Sequence, residues 1–163
     1  MKVYFASDHA GFELKSALLA YARQLGMEVE DCGAYTLDNN DDYPAIIAGA
    51  ARKVSADAAA GVESRAIVIG ASGQGEAMVA NRFKGVRCAL YYGKAAQEQK
   101  DMSGHTLDML VSSRQHNNAN ALSLGARFLS VEEAKSALSV WLKAPFSGEE
   151  RHARRIAQID TLN

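Results

Sequence analysis

Two polar clusters and a glycine turn hold the side chains of this sequence best suited to moving protons. Ser7-Asp8-His9 follows an apolar run near the start, and Arg114-Gln115-His116-Asn117-Asn118 stands well beyond the middle. Between them Gly70-Ala71-Ser72-Gly73-Gln74-Gly75 leads into Glu76. Histidine gives or takes a proton near neutral pH and also suits phosphate, although a lone histidine is more often structural. A glycine turn lets the backbone come close to a ligand, and the free N–H groups of a helix start behind it favour an anion. The turn is not GxGxxG and lacks a Walker lysine, so alone it fits a plain strand–helix connection equally well. Glu76, in a first helical turn, is by default a surface carboxylate favoured by the helix dipole. Asp8 serves equally as the cap of the first helix. Near the end, Arg151 and Arg155 are four apart on one helical face, with His152 and Arg154 beside them. Such a face is ordinarily solvated, but arginine's paired donors also match phosphate oxygens. Together these groups offer a carboxylate base, a backbone anion hole, a histidine acid and several cations. Abstracting a proton next to a sugar carbonyl needs that set.

The elements that must position them follow from periodicity. Val3–Ala6 reads as a buried strand, and Leu14, Leu18, Tyr21 and Leu25 recur at helical spacing over 11–25. Met27–Cys32 is a second strand, stopped by Gly33, and Pro44 suits the first turn of a helix reaching about Ala60. Ala66–Ile69 is a third strand, 75–82 a short helix, Val86–Tyr91 a fourth strand and Ala121–Leu124 a fifth. Ser130 and Glu133 form a capping-box pattern before the apolar face of Val131, Ala134, Leu138, Trp141 and Leu142. A basic helix over about 149–160 ends the chain. Five strands alternating with helices predict one α/β domain over 1–163, Rossmann-like, with three α/β/α layers around a five-stranded parallel sheet. Ligands in such folds sit beyond the carboxyl ends of the strands, and all three polar signals are expected there.

The composition excludes several classes. With 163 residues, 48% hydrophobic, 23% charged and a formal net charge of −1, nothing favours nucleic acid as a partner. The opening apolar run is too short for a signal peptide or a membrane span, and no later segment approaches the length for one. Cys32 and Cys88 have no metal-ligand spacing and suggest a reduced, cytoplasmic setting.

The combination resembles the type B ribose-5-phosphate isomerases, within the wider family that includes galactose-6-phosphate isomerases. The matching stretches are SDHAGFELK from Ser7, DYP from Asp42, VIGASGQGEAMVANRFKGVRCAL from Val68, RQHNNANALSLGAR from Arg114 and ERHARRI from Glu150. They run in order from one end of the chain to the other. Many members carry a cysteine base in a CGTG turn; that position is Gly70 here. The chain is similar instead to the GxSGxGE subgroup, which implies Glu76 as the base and no catalytic role for either cysteine. The resemblance further implies His116 in ring opening, with Ser72 and the turn Gly73, Gln74 and Gly75 stabilising an enediolate. Asp8 and Asn117 would hold sugar hydroxyls, and Tyr43 would line the pocket. His9, Arg151 and Arg155 would bind phosphate, with Arg114 and Arg127 as further candidates. No metal or organic cofactor is implied. A homodimer is, or a pair of dimers forming a tetramer, with shared active sites and the last helix reaching a partner subunit. The segments 93–113 and 56–64 are longer than in typical members, which leaves the sugar open between ribose 5-phosphate and an allose- or galactose-type hexose 6-phosphate. The rival reading is a nucleotide-binding module without chemistry.

Overall fold

A computed structural model describes residues 1–101 and 104–162. The elements in chain order are β1 (Lys2–Ser7), α1 (Phe12–Gln24), β2 (Glu28–Asp31), α2 (Tyr43–Ala59), β3 (Ser64–Gly70) and α3 (Gln74–Ala80). They continue with β4 (Cys88–Tyr91), α4 (Met109–Asn117), β5 (Ala121–Gly125), α5 (Val131–Lys143) and α6 (Glu150–Asp160). A single 3-10 turn, His9–Gly11, joins β1 to α1.

The strands lie in the order β2-β1-β3-β5-β4, and every pairing is parallel. Alternation along each strand feeds two apolar layers. Val3 and Phe5 of β1, with Ile67 and Ile69 of β3, face Leu14 and Leu18 of α1 and Leu138 and Trp141 of α5. Tyr4 and Ala6, with Ala66 and Val68, face Ile47, Ala50 and Val54 of α2. Each fully buried leucine or isoleucine contributes about 1.5–3 kcal/mol. Small alanines on α2 bring that helix close to the sheet. The expected three-layer arrangement is therefore present.

Ser130 caps α5 reciprocally with Glu133, as the sequence pattern predicts. The helix α4 is an addition to the sequence reading. Its apolar residues Met109, Leu110 and Val111 fall in one turn, and the polar run behind them shows no helical stripe. It is held by Asp108, whose side chain accepts from the Val111 amide, and by Trp141, whose Nε1 donates to Ser113 Oγ at 3.1 Å.

This helix changes where one polar signal lies. It runs into Asn118–Asn120 and then β5, so its last turn sits at the amino end of the sheet. Asn120 confirms the placement: its amide donates to the Arg87 carbonyl just before β4, and its side chain donates to the Gly85 carbonyl. The expectation that Arg114–Asn118 lies at a carboxyl end is corrected. A helix between parallel strands runs opposite to them, so the residues closing it precede a strand instead of following one.

Candidate active site

The chain leaves β1 for β2 on one side and reaches β3 on the other, so the crevice opens beyond the carboxyl ends of β1 and β3. Two loops meet there. Asp8 follows β1 and caps the 3-10 turn, its Oδ1 accepting from the Gly11 amide at 3.1 Å. His9 follows it, with Nδ1 at 2.6 Å from Asp41 Oδ1. That bond raises the His9 pKa; burial opposes it, the Asp8 and Asp41 charges support it, and Arg127 opposes it.

After β3 the turn takes a left-handed step at Gly73, with φ 74, and opens α3. The Gly73 carbonyl is turned inward, where buried Ser123 of β5 donates to it at 2.6 Å. A peptide plane points its carbonyl and the next amide in opposite directions. The Gln74 N–H therefore faces the other way, where Ser72 Oγ accepts it at 3.3 Å. The first-turn amides of α3 are thus held as a short row of donors. The side chain of Gln74 leaves the turn and donates to Tyr92 Oη at 2.7 Å. Tyr43 at the start of α2 packs its ring against Gly75.

Glu76 is not the exposed carboxylate of the default reading: it is only 4% accessible. Burial raises its pKa, with a smaller upward push from Asp8 and an opposing hydrogen bond from its own backbone. Its carboxylate lies over Gly70. A Cβ built on Gly70 would fall among the Glu76 side-chain oxygens. Glycine at 70 and glutamate at 76 therefore share one space, a relation that spacing alone does not reveal. Arg127, exposed after β5, donates its backbone N–H to the Ala71 carbonyl and closes the group.

The remaining candidates form a second group. His116 at the end of α4 packs against His152 of α6, ring centroids 4.5 Å apart and planes tilted by 45°. His152 is buried, its Nδ1 at 3.2 Å from Ser147 Oγ. His116 and Arg151 line a cleft of about 460 Å³ together with Asp101, His105 and Asp108 of the longer segment. Asn117, Arg151 and Arg155 are exposed. The two groups are separated along the sheet by about 17 Å, the length of a five-residue strand such as β5.

Arg114 does not belong to either. It is 4% accessible and points into the fold. Its Nε donates to the Ala144 carbonyl, and its Nη1 to the Ala119 carbonyl and Asn118 Oδ1. Its guanidinium also lies 5.8 Å from the Trp141 ring centroid. The expectation that it meets phosphate is corrected: its Nε and Nη1 are engaged by the Ala144 and Ala119 carbonyls beyond the ends of α5 and α4 and by the Asn118 side chain, which turn it into the fold.

Among the described residues, Asp8, His9 and Asp41 are the group whose ligating atoms lie close enough for a metal ion, within 4.8 Å of one another. The Nδ1 of His9 is already engaged by Asp41, which is the geometry of a hydrogen-bonded pair. Both thiols are poor nucleophiles here. Burial pushes Cys32 to about 11 and Cys88 to about 12.

Sequence reasoning missed Asp41. It stands in a polar loop with Asp38 and Asp42, and nothing in the spacing distinguishes the three.

Residues 3–159 match the family model described as Ribose/Galactose Isomerase. The chain is 39% identical over 156 residues to ribose-5-phosphate isomerase B of Mycolicibacterium paratuberculosis, covering 96% of this chain and 87% of that one. It is 31% identical over 161 residues to ribose-5-phosphate isomerase B of Escherichia coli, covering 99% and 95%. Among solved structures it is similar to ribose-5-phosphate isomerase B from Mycoplasma genitalium with bound ribulose-5-phosphate. The TM-score is 0.85 at 33% identity, with 99% of this chain and 95% of that one covered.

Proposed function

This chain belongs to the ribose/galactose isomerase family, and on that premise we propose that it interconverts ribose 5-phosphate and ribulose 5-phosphate through an enediolate. It is an aldose–ketose isomerase acting on a sugar phosphate; the pentose and the residue roles are the proposal. The observation that carries the roles is the Glu76 carboxylate, buried over Gly70 at the head of the amide row. A base with a raised pKa takes a carbon-bound proton more readily than an ordinary carboxylate. Glu76 removes the C2 proton and returns it at C1. The amides of Gly73 to Gly75 and the Ser72 hydroxyl meet the oxyanion as charge develops on it. Asp8 and Asn117 hold hydroxyls, and Tyr43 walls the pocket.

His116 opens the ring, while His9, Arg151 and Arg155 bind the phosphate, with Arg127 at the margin. The assignments of His116, Asn117, Arg151 and Arg155 need a second copy. Separation of His116, Asn117 and α6 from Glu76 supports a homodimer in which each site joins the carboxyl-end group of one protomer to the amino-end group of its partner. A two-fold axis would make two such sites at once. A hexose 6-phosphate is the second reading, favoured by the longer segment lining the cleft beside His116 and Arg151.

The deciding experiment is incubation with ribose 5-phosphate and assay of ketose formation, beside allose and galactose 6-phosphates. Turnover of a hexose phosphate alone would remove the pentose assignment. Turnover of none, with a nucleotide bound instead, would favour the module without chemistry.

A further inference from the structure

Asp41 stands outside the stretches that carry the family resemblance, yet both hydrogen bonds of its carboxylate go to one candidate residue. Its Oδ1 accepts from the His9 backbone N–H at 3.2 Å and lies 2.6 Å from His9 Nδ1. Its Oδ2 is buried without a hydrogen-bond partner. The Asp41 side chain is 10% accessible, whereas that of His9 is 32% accessible. One face of the imidazole pair is thus closed and the other open.

Building on the reading of His9 as a phosphate ligand, we propose that Asp41 is a positioning residue that fixes the proton on His9 Nδ1 and so presents His9 Nε2–H to the substrate phosphate. The argument is about ring chemistry. A neutral imidazole has one N–H and one lone pair. With its proton on Nδ1 facing Asp41, a neutral ring would offer the Nε2 lone pair to a phosphate oxygen, and two acceptors repel. Only the imidazolium donates from both nitrogens. Asp41 therefore selects the ring orientation and favours the charged form at once.

The charged groups around the ring are the Asp8 and Asp41 carboxylates and the Arg127 guanidinium. The carboxylates favour the cation and the guanidinium opposes it, with the Asp41 hydrogen bond as the largest influence. The pH consequence has a definite sign. A raised histidine pKa keeps the proton to higher pH, so phosphate binding through His9 persists above the ordinary histidine range and fades as pH rises through the raised value.

The test is the KM for ribose 5-phosphate of wild type and Asp41→Asn from about pH 5.5 to 9, a range spanning ordinary histidine titration. The His9 ring is titrated in parallel by NMR. The two proteins should agree at the acid end. By pH 8 the variant's KM should be at least about tenfold higher, as loss of one charge-assisted bond gives, with kcat little changed. The His9 midpoint should fall in Asp41→Asn and recover in Asp41→Glu. In a His9→Gln background, Asp41→Asn should add nothing. An unmoved His9 midpoint overturns the proposal. So does a KM rise that is the same at every pH, or one that persists without His9, because either means Asp41 only holds its loop. If the protein isomerises no sugar phosphate, the isomerase reading fails separately. The His9 titration with inorganic phosphate then still decides the proposal: a phosphate response weaker in Asp41→Asn supports it, and equal responses overturn it.

Discussion

Replacing Glu76 by glutamine isolates the base from the pocket that holds it. The amide has the shape of the carboxylate, so it fits over Gly70 without disturbing the turn. Positioned general-base catalysis is worth about 10²–10⁴-fold, or roughly 3–5 kcal/mol in the barrier. Glu76→Gln should lose that much in kcat in both directions of the isomerisation, while KM stays within about threefold, because the amide row and phosphate ligands are untouched. Stability should move the other way. Burial raises the Glu76 pKa, so the folded protein holds that proton to higher pH than the unfolded chain does. Ionising the group in the folded state then costs stability as pH rises through the raised value. Glutamine never ionises, so the variant should melt higher than wild type at pH 8, with the difference shrinking toward pH 4, where the carboxyl is mostly protonated in both states. Calorimetry at the two pH values and a coupled ketose assay provide the two measurements. Full activity in Glu76→Gln would refute the glutamate base. A lower melting temperature at pH 8 would refute the account of its burial.

Three further outcomes are expected. Mixing Glu76→Gln with His116→Ala, each inactive alone, should restore about a quarter of wild-type activity if two-fold dimers reassort at random and share sites; no recovery after subunit exchange would place a whole site in one protomer. Replacing Arg151 or Arg155 by alanine should weaken substrate binding by about 1.5–3 kcal/mol, the range for hydrogen bonds to a charged group, whereas Arg114→Ala should leave KM alone and destabilise the fold by about 2–4 kcal/mol through its orphaned carbonyls. Mild alkylation should leave activity largely intact, because a thiol near 11 is ionised only about one part in a thousand at pH 8; rapid inactivation prevented by substrate would contradict this.

The fold was legible wherever one side chain period dominates. Continuous apolar runs such as Ala66–Ile69 and the stripe of Leu14 and Leu18 each have one cheap way to be buried. The helix α4 was hidden because its apolar residues do not recur, and its place is fixed instead by distant partners such as Trp141. For the site, residue types and family motifs pointed to Glu76, Asp8 and His9. They could not distinguish Arg114, whose donors are taken by carbonyls, from Arg151, which is exposed. Whether a cation is spent on its own backbone is a three-dimensional fact. The same holds for Asp41, whose meaning lies in one contact across 32 positions of chain.

The overlap between Gly70 and Glu76 also constrains how such an enzyme changes over time. The family resemblance implies a cysteine base at the position of Gly70 in other members. A side chain added there would meet the tip of the Glu76 side chain, which would have to swing away from its place over the turn. Removing the carboxylate first leaves neither base in place. On the proposed role of Glu76, either order of single steps displaces or removes one base before the other is in place, so a change of base is favoured as a paired substitution.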